Sequence, residues 1–187
     1  MIQGGVGGSS TLTGLDFERE CDLLTLLAAK PGYSVRSIPG KAGQGIFFKD
    51  QLVARCFRKA QFYKFLDEHG INWANQLSRK LLPDDALLVI VRETLFIIEV
   101  KFQQCEGSVD EKLQTCDFKR KQYQKLVNPL ELKVEYVYVL SEWFKDKKYK
   151  DVLDYIQSVN CHYKFKTLPL AWLGLPDPDI PLAAGEI

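Results

Sequence analysis

The sequence predicts an α/β fold in which a mixed central β-sheet is flanked by helices. Two features of the chain predict this class. Segments with apolar residues at helical spacing alternate with short apolar runs rich in β-branched and aromatic residues. Near the middle of the chain, two such runs are joined by a short polar segment, which predicts a β-hairpin within the sheet.

The first half of the chain predicts helices at both ends of a group of short strands. Apolar residues recur at helical spacing from Asp16 to Ala28, and Pro31 and Gly32 end this helix. The segments SVRSI, GIFF and QLVARCF have the composition of strands. Two further helices are predicted in KAQFYKFLDEHG, which Gly70 would end, and in INWANQLSRK.

The second half of the chain predicts the hairpin and then helices that alternate with strands. The hairpin consists of PDDALLVIV and LFIIEVKFQQ. GSVDEKLQTCDFKRKQYQKL predicts a helix that ends at Asn128 and Pro129. The strand VEYVYVL, the helix KKYKDVLDYIQSV and a last strand beginning at YKFK follow. A hairpin followed by such alternation favours a sheet with both antiparallel and parallel strands.

Length and composition predict one globular domain. The chain has 187 residues, of which 46% are hydrophobic and 26% charged. A net charge of +1 gives no general attraction to nucleic acid, so any polyanion site must be a local basic patch. We expect a cytoplasmic protein, because the five cysteines form no CxxC pair and the chain has no apolar run long enough for a membrane span and no signal peptide.

Two charged residues interrupt an apolar strand in the stretch FIIEVKFQQ. Glu99 and Lys101 are two residues apart, so their side chains share one face of the strand. A buried ion requires an oppositely charged partner or a metal. The alternative is an edge strand whose charged pair lies in water. The same acidic-x-Lys spacing occurs four more times, but those copies lie in polar segments and do not follow an apolar run.

The order of these motifs resembles that of the PD-(D/E)XK nucleases. The chain reads P-D at residues 83–84, at the start of one hairpin strand, and E-V-K at residues 99–101 in the next. Gln103 follows on the same predicted strand face, and Glu18 in the first helix stands where many members have an additional glutamate. The segment EGSVDEKLQT resembles the corresponding region of small type II restriction endonucleases.

The resemblance implies a restriction endonuclease-like core and a function. The nuclease domain would span residues 15–176, between a flexible Gly-rich N-terminus at 1–14 and a Pro-containing tail at 177–187. The implied activity is Mg²⁺-dependent hydrolysis of phosphodiester bonds in double-stranded DNA. Among such nucleases, the resemblance favours a sequence-specific type II restriction endonuclease. The catalytic residues that the resemblance implies are Asp84, Glu99, Lys101, Glu18 and Gln103, and the implied metal ligands are Asp84 and Glu99.

The chemistry of these side chains agrees with that activity. Two carboxylates on adjacent strands can hold a divalent ion, which lowers the pKa of a bound water and polarises a phosphoryl oxygen. Oxygen ligands favour Mg²⁺ over Zn²⁺, and Mn²⁺ is a possible substitute. The ammonium of Lys101 can orient the attacking water and stabilise the transition state.

Two neighbouring aspartates compete for the first ligand position. Asp84 and Asp85 both precede the first hairpin strand, and neighbouring side chains of a strand point to opposite faces. Only one of them can readily bind the metal, and the family pattern favours Asp84. The alternative role for Asp85 is a strand-start cap or a solvated charge.

A basic segment after the hairpin predicts a DNA-binding helix. Such a helix can lie along the phosphates, with amides or arginine contacting base edges. The alternative is an ordinary solvated helix face. The predicted DNA contacts are Ser108, Lys112, Gln114, Lys119, Arg120, Lys121 and Gln122.

Three functions remain open on the sequence. The chain is a restriction endonuclease, a repair or junction-resolving nuclease of the same fold, or a non-catalytic DNA-binding domain. Restriction requires cleavage of both strands, and one chain has one predicted site, so we expect a homodimer on double-stranded DNA. A restriction enzyme also implies a cognate DNA methyltransferase in the same system, without a stable complex, and no membrane partner.

Overall fold

The computed structural model describes Glu20, residues 22–103 and residues 109–178, and confirms the α/β class with a mixed sheet. Seven strands in these residues lie side by side in chain order, and helices cover both faces of the sheet. The strands are β1 (Tyr33–Ser37), β2 (Gln44–Phe48), β3 (Gln51–Phe57), β4 (Asp85–Val89), β5 (Thr94–Lys101), β6 (Lys133–Leu140) and β7 (His162–Phe165). The helices are α1 (Leu23–Ala28), α2 (Gln61–Glu68), α3 (Val109–Leu113), α4 (Cys116–Val127), α5 (Lys150–Ser158) and α6 (Leu170–Leu173).

Strand direction changes at β5. Strands β1 to β5 pair antiparallel, whereas β5 pairs parallel with β6, and β6 parallel with β7. Parallel neighbours need a long crossover connection, and α4 and α5 lie within the two crossovers. The sheet therefore joins an antiparallel meander to a parallel unit at the strand that carries Glu99.

The predicted hairpin is confirmed as β4 and β5. Asp85 pairs with Ile98 and Val89 pairs with Thr94. A 3₁₀ turn connects the strands and ends at Glu93, whose φ of 49° is left-handed. Directly opposed residues of an antiparallel pair share a face, so this register extends to place Asp84 beside Glu99.

Each face of the sheet has its own apolar core. On the α4 face, Ala86, Ile97 and Tyr136 are buried with residues of α2, α4 and α5. On the α1 face, Leu87 and Ile98 are buried with residues of α1 and α6. Because side chains alternate along a strand, β5 sends its odd-numbered residues, which include Glu99 and Lys101, to the α4 face.

Two of the predicted helices differ from those in the structure. INWANQLSRK forms only a 3₁₀ turn at Trp73–Asn75, which Asn72 caps. The long predicted helix after the hairpin is divided into α3 and α4. At the division, the Thr115 hydroxyl donates to the Lys112 carbonyl and competes with the helical backbone bond.

None of the described helices combines the length and the apolar character that crossing a membrane requires.

Candidate active site

The hairpin brings Asp84, Glu99 and Lys101 together at one end of the sheet. Lys101 Nζ lies 3.1 Å from Glu99 Oε2 and 3.9 Å from Asp84 Oδ2. The backbone N–H of Val100 donates to Asp84 Oδ2 at 3.0 Å, which ties Asp84 to β5. The prediction that Glu99 and Lys101 share a strand face is confirmed, and they lie on the α4 face.

Asp84 and Asp85 have different partners. Asp85 is buried and accepts a hydrogen bond from Arg58 Nε at 2.9 Å. Arg58 also donates to Asp22, the residue that caps α1, at 2.5 Å. Burial raises the pKa of Asp85, and the charge of Arg58 offsets only part of that effect. Asp85 is therefore a buried ion-pair partner on the α1 face, and its assignment as a strand-start cap or a solvated charge is wrong.

A second ammonium reaches Glu99 from α4. Lys119 Nζ donates to both carboxylate oxygens of Glu99, at 2.8 and 2.9 Å. Sequence reasoning assigned Lys119 to DNA contact and missed this pair. A signal was present, because Cys116, Lys119 and Tyr123 recur at helical spacing, and Cys116 and Tyr123 are apolar enough to predict a buried stripe. The Glu99 carboxylate thus lies between two ammonium groups.

Glu99 is ionised in a largely buried position. The residue is only 5% exposed. Burial raises its pKa, but the charges of Lys101 and Lys119 outweigh burial and hold the pKa below its usual 4.5. Beneath it lie the buried side chains of Tyr136 and Tyr138, whose pKa values are raised by burial and by the Glu99 charge. Both phenols therefore stay neutral beside the carboxylate.

The lowered pKa of Glu99 predicts a pH-dependent contribution to stability. A group whose pKa is depressed by folding stabilises the folded state above its unfolded pKa, and the contribution is lost as the pH falls through the folded pKa. We expect the free energy of unfolding of the wild type to exceed that of Glu99→Gln near neutral pH, and the difference to shrink at an acidic pH below the usual glutamate value of 4.5. Urea unfolding of both proteins at the two pH values measures this, and a pH-independent difference contradicts it.

Oxygen atoms of two carboxylates and one carbonyl surround the Lys101 ammonium. Lys101 Nζ is close to Asp84 Oδ2 and Glu99 Oε2 and lies 3.3 Å from the Val100 carbonyl oxygen, so the ammonium occupies the point where these oxygens converge. No group of three or more His, Cys, Asp and Glu side chains suited to a metal occurs within the described residues. Asp84 and Glu99 are two candidate ligands. Both would bind through carboxylate oxygens, which are the ligand atoms that suit Mg²⁺.

Three of the predicted site residues lie elsewhere or are not described. Glu18 and Ser108 lie outside the described residues. Strand β5 ends at Lys101, so Gln103 lies two residues beyond the strand. The backbone of Gln103 instead bonds Ser141 at the end of β6: its N–H donates to Ser141 Oγ at 3.3 Å, and its carbonyl accepts from that hydroxyl at 3.2 Å.

The predicted DNA-binding residues differ in exposure. Arg120 and Lys121 both bond Asp117, at 3.4 and 2.6 Å, so part of the positive charge on α4 is neutralised within the helix. Lys112 and Gln114 are exposed, and Gln122 is half-buried. Lys121 is also largely exposed, so its ammonium can exchange Asp117 for a phosphate. The outward surface of α3 and α4 retains basic and amide groups.

An apolar cavity of about 350 Å³ lies apart from these charges. Its walls include Leu23 and Leu27 of α1, Ile98 of β5 and Leu170 of α6. These residues belong to the α1 face, whereas Glu99 and Lys101 point to the α4 face. The cavity therefore does not include the charged cluster.

Comparison with known proteins identifies no relative. No protein-family model matches the chain, and neither the curated proteins nor the solved structures give a significant match. The function has to be inferred from the chemistry and geometry of the charged cluster itself.

Proposed function

We propose that the chain is a Mg²⁺-dependent endonuclease of the PD-(D/E)XK type that hydrolyses phosphodiester bonds of double-stranded DNA. The observation that carries the proposal is the convergence of Asp84, Glu99 and Lys101 on adjacent hairpin strands. The mixed sheet, in which the hairpin leads into parallel strands, is compatible with a restriction endonuclease-like core. The site is partly open, because the Asp84 side chain is 48% exposed, as access for a large substrate requires.

Each residue has a separate task in this reaction. Asp84 and Glu99 would hold the metal ion, which would supply an acidified water and an electrophile for the phosphoryl oxygen. Lys101 lies within 4 Å of both carboxylates, so its ammonium would be able to orient the attacking water and to stabilise negative charge on the phosphate. The hydrogen bond from the Val100 N–H holds the Asp84 carboxylate beside β5, near Lys101.

Exposed basic and amide groups on α3 and α4 support double-stranded DNA as the substrate. Lys112, Gln114 and Lys121 are exposed and can provide phosphate contacts and amide groups for base edges. Together with the motif order, which resembles that of type II restriction endonucleases, this surface leads us to favour a sequence-specific restriction endonuclease over a repair or junction-resolving nuclease or a non-catalytic DNA-binding domain. Cleavage of both strands favours a homodimer on a two-fold symmetric target, and sedimentation of the protein–DNA complex would reveal two chains per duplex.

The direct test is cleavage of a defined plasmid. We expect discrete fragments in the presence of Mg²⁺ or Mn²⁺ and no cleavage with excess chelator, because the water is activated by the metal. Cuts restricted to branched DNA would favour the repair nuclease, and binding without cuts under all metal conditions would favour the non-catalytic domain.

The metal requirement has its own control. Ca²⁺ accepts irregular oxygen coordination, so we expect it to support DNA binding without cleavage. Gel-shift and cleavage measurements with Ca²⁺ and with Mg²⁺ separate the two steps. Robust cleavage in excess chelator would exclude the proposed reaction.

A further inference from the structure

The charged cluster is neutral without a metal. Asp84 and Glu99 contribute two negative charges, and Lys101 and Lys119 contribute two positive charges. A divalent cation that joined all four groups would leave the cluster with an excess of two positive charges. In a site where Glu99 is only 5% exposed, such an excess is weakly screened and therefore unfavourable. One ammonium has to move away when the metal enters.

Lys119 is the ammonium placed to move. It occupies both oxygens of Glu99, whereas Lys101 contacts Oε2. Lys119 therefore blocks access of a metal to the Glu99 carboxylate more completely than Lys101 does. Lys101 extends from the strand that carries Glu99 and is also held by the Val100 carbonyl. Lys119 extends from α4, and its 26% exposed side chain gives its flexible stem a path to solvent.

We propose that Lys119 is a resident counter-ion of Glu99, which a divalent metal must displace before the site is loaded. This inference rests on the proposed metal-dependent function and deepens it. In the metal-free protein, Lys119 neutralises the buried carboxylate. When the metal takes that place, the ammonium of Lys119 turns toward solvent, where it can contact a phosphate. Lys119 is thus a positioning residue that weakens metal binding to the DNA-free protein.

The test measures Mn²⁺ binding to the DNA-free protein, by electron paramagnetic resonance or calorimetry. Lys119→Met keeps the apolar stem and removes the competing charge, and Lys119→Gln is a second variant in case the first does not fold. Both substitutions remove a charge that competes with the metal for both oxygens of Glu99, so we expect Mn²⁺ affinity to rise about tenfold or more in both variants. Lys125→Met is the matched control, because Lys125 is an exposed lysine on the same helix to which no binding role is assigned. It should bind Mn²⁺ as the wild type does.

Glu99→Gln separates failure of the inference from failure of the proposed function. If the wild type binds Mn²⁺ and Glu99→Gln does not, Glu99 is a ligand. Unchanged or weaker affinity in both folded Lys119 variants would then overturn the role of Lys119 alone. If Mn²⁺ binds the wild type and Glu99→Gln equally, or binds neither the wild type nor the Lys119 variants, the metal site is wrong, and the inference falls with the proposed function. Circular dichroism verifies that each variant is folded.

Discussion

Glu99→Gln and Lys101→Ala are each expected to lower the rate of DNA cleavage by at least ~10²-fold, the scale of losing one transition-state contact. Glutamine retains the shape of Glu99 and one oxygen ligand but removes the negative charge that is proposed to attract the metal. Alanine at position 101 removes the ammonium that lies 3.1 Å from Glu99 and is proposed to orient the attacking water. Single-turnover cleavage of plasmid DNA, measured at saturating protein, reports the effect on the chemical step.

Folding and DNA binding should survive both substitutions. After Glu99→Gln, water can hydrate the ammonium groups of Lys101 and Lys119, which are 21% and 26% exposed. After Lys101→Ala, Lys119 still pairs with Glu99. The proposed DNA contacts lie on α3 and α4, outside the substituted strand. Thermal unfolding and gel-shift assays distinguish lost chemistry from lost structure.

A second acidic-x-Lys pair provides the control. Glu131 and Lys133 have the same spacing but are exposed and lie outside the hairpin, Glu131 at the turn before β6 and Lys133 at the first residue of β6. Glu131→Gln and Lys133→Ala should cleave DNA at the wild-type rate. If these variants fail while the Glu99 and Lys101 variants cleave normally, the active site has been assigned to the wrong strand.

Asp84→Asn should reduce cleavage by at least ~10²-fold, whereas Asp85→Asn should leave it near the wild-type rate. Asp84 approaches Lys101 and Glu99 on the α4 face, and its loss removes one of the two proposed ligands. Asp85 bonds Arg58 on the α1 face, and an asparagine oxygen can still accept that hydrogen bond.

The same kinetic assay, combined with Mn²⁺ affinity, tests this difference between neighbouring residues. Asp84→Asn should weaken Mn²⁺ binding, and Asp85→Asn should not. A loss of cleavage and metal binding in Asp85→Asn, with both retained in Asp84→Asn, would show that the ligand assignment is inverted.

The sequence alone determined the hairpin and the three-residue centre of the site. The alternation of side chains along a strand is a local property of the backbone, so Glu99 and Lys101 had to share a face. Hairpin pairing depends on residues that are close in the chain. Its register places Asp84 on the same face of the sheet as Glu99 and Asp85 on the opposite face. The strand VEYVYVL was also evident, because its β-branched and aromatic residues favour an extended chain.

Only the tertiary structure decided which distant groups pair with Glu99 and with Asp85. Lys119 meets Glu99 across 20 residues, and Arg58 meets Asp85 across 27. These contacts depend on how a crossover helix and a neighbouring strand pack on the sheet, which local periodicity does not specify. On sequence, Lys119 was one of several basic residues on a helix predicted to bind DNA. The packing of α4 against β5 and β6 directed its ammonium to a buried carboxylate, because that charge needs a partner when it leaves water.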